Sequence, residues 1–189
     1  MLSYLARPFA YLTIRHPDRR PVLVNWVVPA VVAAAVIAAT AKFAAATSLL
    51  GDSGVIARVL GFVQSLAGFY VAALAAVATF PSASMDQLMP GTPPTMTVVY
   101  NGTATRVQLT RRRFLCSMFA FLTAASLLIT LVALTALALG PIIANTFVEP
   151  VRLVARVVFG GVFVFALLQM ISVTFWGLFY LGERMHTPD

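Results

Sequence analysis

No Asp or Glu falls within any of the long apolar runs of this chain, and that absence narrows its chemistry first. Asp and Glu together number six, against 13 Lys and Arg. Proton- or sodium-coupled transporters usually bury an ionisable group near the midplane of the bilayer. Acid–base catalysis needs paired carboxylates. Neither pattern is present. The two histidines, His16 and His186, lie outside the runs, and no helix offers a His-x-x-x-His or Glu-x-x-His ligand pair. The single cysteine, Cys116, excludes an intrachain disulfide and any multi-cysteine metal or iron–sulfur site. At the start of an apolar run it reads as a small packing residue. No Gly-rich phosphate loop follows a strand. The expectation is a non-enzymatic protein with no catalytic residues, no metal and no cofactor.

What the chain has instead is apolar length. It is 60% hydrophobic and 10% charged, with a mean hydropathy of +0.92. Soluble domains average about 25% charged residues. Four runs stand out, at Val22–Ala41, Val55–Phe80, Phe114–Leu139 and Leu153–Leu181. Each is long enough to cross the hydrocarbon core, which takes roughly 20 helical residues. Backbone polar groups in lipid must be satisfied within the segment, so each run reads as a helix. A soluble helical core would carry a polar stripe, whereas Ala30–Ala39 and Leu127–Leu139 are apolar or hydroxyl-bearing on every side. The fold class is therefore an all-α membrane protein with four transmembrane helices, a single integral membrane domain over residues 1–189. Residues 1–21 form a cytoplasmic or interfacial segment. Met1–Arg15 is broken by Arg7 and Pro8 and does not read as a secretory signal peptide.

Charge orients the spans. Nine of the 13 basic residues (Arg7, Arg15, Arg19, Arg20, Arg106, Arg111, Arg112, Arg113 and Arg184) fall on one side, with Lys42, Arg58, Arg152 and Arg156 on the other. The positive-inside rule puts both termini and the middle loop in the cytoplasm. The net charge of +7 reads as topology plus attraction to anionic membrane lipids. The basic residues hug the membrane edge, so no direct nucleic-acid partner is expected.

The two halves share a plan. Arg19-Arg20 opens the first span and Arg112-Arg113 the third. Val55-Ile-Ala-Arg58-Val begins the second and Leu153-Val-Ala-Arg156-Val the fourth. This reads as a duplicated helical hairpin, with chance alignment of apolar sequence as the alternative. Arg58 and Arg156 are cations at the outer ends of spans. They either snorkel to headgroups or, with Arg152, form a site for phosphate or another anion. Glu149 is close enough to pair with one of them.

Residues 81–113 form the one sizeable loop, expected in the cytoplasm. Its first half holds four prolines and a glycine between Pro81 and Pro94, which leaves no room for a long helix. Thr95–Tyr100 and Thr103–Leu109 are β-prone and joined by Asn101-Gly102, so a small β-hairpin is expected over 95–109. An isolated hairpin is marginal in water, and its edges can accept another strand. Val98, Tyr100, Asn101, Gly102, Arg106 and Val107 are the candidate docking residues for a cytosolic protein partner. The N-terminal segment, with Leu2, Leu5, Phe9 and Leu12 at helical spacing, suits a helix in the headgroup layer, bent at Pro8.

Neutral polar residues inside the runs are Asn25, Gln64, Ser65, Ser126, Thr130, Gln169, Ser172 and Thr174. Interhelical hydrogen bonding is their expected role. Gly61, Gly68, Gly160 and Gly161 would let helices approach closely, and a homo-oligomer, dimer or tetramer, is expected. The four-span plan, with the segments Gly68–Ala76, Pro90–Pro94 and Arg111–Leu115, resembles the membrane subunit of the Kiwa bacterial anti-phage system. That resemblance implies a homo-oligomeric inner-membrane sensor that reports envelope disturbance by phage to a cytosolic effector. It carries over no functional residues. A sensor or scaffold is thus the leading expectation. A small oligomeric pore lined by Gln64, Ser65, Gln169 and Ser172 is a second. A lipid-handling protein using Arg58 and Arg156 is a third.

Overall fold

The computed structural model describes residues 6–16, 20–42, 54–89, 91–100, 103–146 and 148–184. Helix α1 is Val28–Lys42, entered through an α turn at Arg20–Val22 and a π-helical stretch at Leu23–Val27. Helix α2 is Val55–Thr79, α3 is Arg111–Thr146, and α4 is Glu149–Phe179, closed by a π turn at Tyr180–Arg184. Between α2 and α3 lie a short 3-10 turn, Ala83–Asp86, and a hairpin of strands β1 (Thr95–Tyr100) and β2 (Thr103–Gln108).

Three helices are long and apolar enough to cross a membrane: Ile56–Thr79, Arg111–Gly140 and Val151–Gly182, of 24, 30 and 32 residues. At 1.5 Å per residue even the shortest reaches about 36 Å, against about 30 Å of hydrocarbon. The protein is therefore membrane-embedded. The first apolar helix, Leu23–Ala39, is shorter than these three.

Several boundaries differ from the expected runs, each for an identifiable reason. Arg111–Arg113, expected in the loop, is the first turn of α3, where Thr110 Oγ1 accepts a hydrogen bond from the Arg113 backbone N–H at 3.3 Å. That is an N-cap, and it starts the helix three residues early. At the other end α3 runs through Gly140 and Pro141 to Thr146. Opening a backbone in an apolar environment costs more than bending round a proline. Pro150 then occupies the first turn of α4 beside Glu149, where a missing N–H costs nothing and an acid suits the helix dipole.

The packing order is α2–α3–α4–α1. A duplicated hairpin expects α1 to pack on α2 as α3 packs on α4. Instead, among the described residues, α1 lies against α4 and α2 lies against α3. The α2–α3 seam is a heptad line of buried residues: Ile56, Val63, Tyr70 and Val77. Along α4, the Gln169 amide donates to the Asn25 carbonyl at 2.9 Å, and Gly161 faces Ile37 further down, so α1 runs antiparallel to α4.

The core is concentrated at one end. Phe114, Leu115, Met118, Phe119, Phe121 and Leu122, all in the first third of α3, are buried. The N-terminal segment closes over them. Among the described residues it is a 3-10 turn, Arg7–Thr13, and Leu2 and Leu5 of the expected helix lie outside them. Pro8 fits its first turn, and Tyr11, 2% exposed, stacks on Phe121 with ring centroids 5.3 Å apart. Phe9 meets Phe121 edge-on at 6.0 Å, and His16 meets Phe114 edge-on at 5.7 Å. These aromatic contacts, worth about 0.5–1.5 kcal/mol each beyond area burial, draw the segment onto the bundle.

α3 and α4 approach closely at Gly177 of α4, where a Cβ would stand 2.5 Å from Met118 Cε. Alanine needs only a shift of the flexible methionine tip. Gly177→Leu has no such room and should destabilise the α3–α4 contact by about 1–3 kcal/mol. Reversible unfolding in detergent measures this, and an unchanged midpoint would refute the close contact.

Candidate functional site

Arg112 organises the end of the bundle that carries the loop. Its Nη1 donates to the carbonyls of Val77 at 2.8 Å, Ala78 at 3.3 Å and Phe80 at 2.9 Å. These are carbonyls at or just past the end of α2, where the last turn lacks intrahelical partners. A cation there also suits the negative end of the α2 dipole. The other side of the same guanidinium grips Asp86 in a fork, Nε to Oδ1 at 2.7 Å and Nη2 to Oδ2 at 3.1 Å. One side chain thus joins the start of α3, the end of α2 and the 3-10 turn between them. Its position at the start of α3 is electrostatically unfavourable for that helix, and the α2 carbonyls and Asp86 offset this.

The hairpin grows from this junction. Its register pairs Thr95 with Gln108, Met96 with Val107, Thr97 with Arg106 and Val98 with Thr105. Its base is held by backbone. The Arg15 N–H donates to the Thr95 carbonyl at 2.9 Å and the Thr95 N–H to the Arg15 carbonyl at 3.0 Å. The Arg111 N–H donates to the Gln87 carbonyl at 3.1 Å and the Leu109 N–H to the Pro94 carbonyl at 3.0 Å. Leu109 is fully buried and Met96 packs against the core.

The register gathers part of the expected docking set. Directly paired residues share a sheet face, so Val98 and Val107 lie on one face with Met96. Val98 and Val107 are half-buried. Arg106 is exposed, on the opposite face. Asn101, Gly102 and the Tyr100 side chain lie outside the described residues. Sequence reasoning missed Met96 and the Arg15 bridge. Met96 was readable from alternation, but the bridge joins positions 80 residues apart, and no local pattern encodes it. Beyond Thr95, β1 pairs only with β2, and among the described residues the sheet has no third strand.

Arg152 is half-buried and paired with Glu149 at i, i+3. Arg58 of α2 and Arg156 of α4 are exposed, and no contact between them is present among the described residues. The polar residues inside the helices divide as well. Gln169 donates to the Asn25 carbonyl, to which Pro29, four residues on, has no N–H to offer, while Tyr11 donates to Asn25 Oδ1 at 3.4 Å. Burial pushes the Tyr11 hydroxyl up to about 12, so it stays a neutral donor. Tyr70 of α2 and Thr174 of α4 share a hydrogen bond of 2.6 Å. Ser65 and Ser126 turn back onto Phe62 and Thr123 of their own helices. Ser172 instead lines a shallow apolar groove of about 340 Å³ with Val24, Val28, Phe175, Trp176 and Phe179. Gln64, Ser65, Gln169 and Ser172 therefore do not line one channel in a protomer. Among the described residues no three His, Cys, Asp or Glu side chains gather in a metal-binding group.

The Arg112 hydrogen bonds hold Asp86 below its ordinary carboxylate value of 3.8. A group with a lowered folded-state pKa contributes stability that is complete above the unfolded value and is lost as pH falls through the folded one. The 86–112 junction should therefore loosen below about pH 4, read as faster proteolysis or hydrogen exchange of 81–110. Asp86→Asn should show the loosened state at neutral pH and lose the acid step. An acid step of the same size in both proteins would refute the assignment. No protein-family model matches this chain, and no curated protein or solved structure is significantly similar to it.

Proposed function

We propose that this chain is a non-enzymatic sensor or scaffold subunit of a bacterial inner membrane, homo-oligomeric as a dimer or tetramer, that recruits a cytosolic protein through its hairpin. The observation that carries the reading is the hairpin itself: its base is fixed to the bundle by Arg15, Met96 and Leu109, and its sheet has no third strand among the described residues. A loop that only connects two spans needs no such anchoring. A rigid base with a two-stranded sheet suits strand addition by a partner. The architecture-level resemblance to the Kiwa membrane subunit points the same way, toward signalling of envelope disturbance in anti-phage defence.

The reading takes α1 as the fourth span. The 17 residues of Leu23–Ala39 make about 25 Å of helix, and the flanking helical residues from Arg20 to Lys42 extend it to about 34 Å. Its antiparallel course along α4 supports a full crossing. An even number of spans returns both termini to the hairpin side, the side rich in arginine, which is the cytoplasm by the positive-inside rule. The pore and lipid-handling readings draw less support, because the polar residues scatter and the outer arginines stand apart.

Two measurements test this. Reporter fusions after Asp189 and near Gly91 should behave as cytoplasmic, and periplasmic activity at either would overturn the orientation. Replacing Thr97–Arg106 with a Gly/Ser linker keeps the anchored base. It should leave membrane insertion intact and reduce co-purification of a cytosolic protein partner at least tenfold. Unchanged co-purification would refute the docking role.

A further inference from the structure

α2 is the least covered of the three long helices, with four of the 24 residues of its span buried, against eleven of 30 for α3 and seven of 32 for α4. Its inner edge is spent on α3. Its opposite edge carries Gly61, Ser65, Gly68, Ala72, Ala75 and Thr79, all exposed. Their spacing alternates four and three residues, the repeat of a left-handed helix pair. A Cβ at Gly61 or Gly68 would meet nothing within 4 Å. Phe62 and Phe69, 53% and 70% exposed, stand along one side of the line.

Beside the line on its other flank is Gln64, exposed and without a hydrogen bond among the described residues. The span Ile56–Thr79 is centred between residues 67 and 68. Gln64 therefore stands about 5 Å along the helix from mid-span, roughly 10 Å short of the headgroups. Its amide faces hydrocarbon, where an unsatisfied polar group is costly. Gln169, the other glutamine inside the helices, is bonded to the Asn25 carbonyl. Small residues alone would not say what covers α2, but the amide does. It is both donor and acceptor, so it can pair with its own copy. Copies inserted in the same orientation put two Gln64 residues at one depth, across a two-fold axis along the membrane normal.

We propose that the outer face of α2 is a self-association surface occupied by a second copy of this chain, with paired Gln64 amides at its centre and Gly61, Ser65, Gly68 and Ala72 allowing close backbone approach. The proposal rests on the homo-oligomeric membrane reading and names the face through which it is achieved.

The test is cysteine cross-linking in native membranes, in a Cys116→Ser background, with copper–phenanthroline as oxidant. Ser65→Cys and Ala72→Cys should each give a disulfide-linked dimer. Leu131→Cys, 63% exposed on α3, should not. Gln64→Leu should raise the dimer dissociation constant about fivefold to tenfold, from two interhelical hydrogen bonds of about 0.6 kcal/mol each. Gly68→Leu should abolish cross-linking at position 72 while the monomer keeps its thermal stability, because that face is open. A homo-oligomer retained without these cross-links overturns the α2 face alone. A monomeric mass across mild detergents overturns the face and the oligomeric reading together. Cross-links unaltered by Gln64→Leu overturn the amide pair.

Discussion

The guanidinium of Arg112 holds together the end of the molecule on which everything outside the helices depends. It closes the carboxyl end of α2, grips Asp86, and belongs to the first turn of α3. Five donors in a planar fork allow this, and a lysine ammonium could not reproduce the geometry. With α2 closed and α3 started at one point, the chain from Pro81 to Thr110 must leave and return within a short distance. The hairpin is the extended solution to that constraint, and Arg15 and Leu109 fix its direction.

The protein is unequal along its length. At the Arg112 end, aromatic side chains from the N-terminal turn, α3 and the end of α4 interlock around Phe114 and Tyr11. Away from it, the first part of α4 is exposed from Leu153 to Val158. Lipid tails are as apolar as Leu, so no hydrophobic force gathers helices within the hydrocarbon. Tight packing falls where aqueous segments meet the bundle and apolar burial again contributes. Within the apolar helices, cohesion comes from a few hydrogen bonds, Gln169 to the Asn25 carbonyl and Tyr70 with Thr174, and from close approach at Gly177.

This inequality gives the functional reading its shape. The tightly packed end carries the hairpin, and the other end exposes helix faces. Arg112 ties the last turn of α2 to Asp86 and to the start of α3, beside the hairpin base.

The sequence by itself determined the three long apolar helices, their approximate limits and the hairpin. Long apolar runs and an Asn-Gly turn between β-prone segments act locally, through backbone hydrogen bonding and turn geometry. It did not determine who packs on whom. The duplicated plan suggested α1 on α2, yet Gln169 and Asn25 join α1 to α4, because a buried amide takes a carbonyl that lacks a helical donor, and Pro29, four residues past Asn25, has no N–H. Arg112 was legible only as a topology signal. Its role as the closure of α2 depends on carbonyls 32 to 35 residues away, which only the tertiary structure brings within reach. The N-terminal turn looked interfacial by periodicity, and its place under the hairpin was decided by Tyr11 finding Phe121 and Asn25, partners that a linear reading cannot bring together.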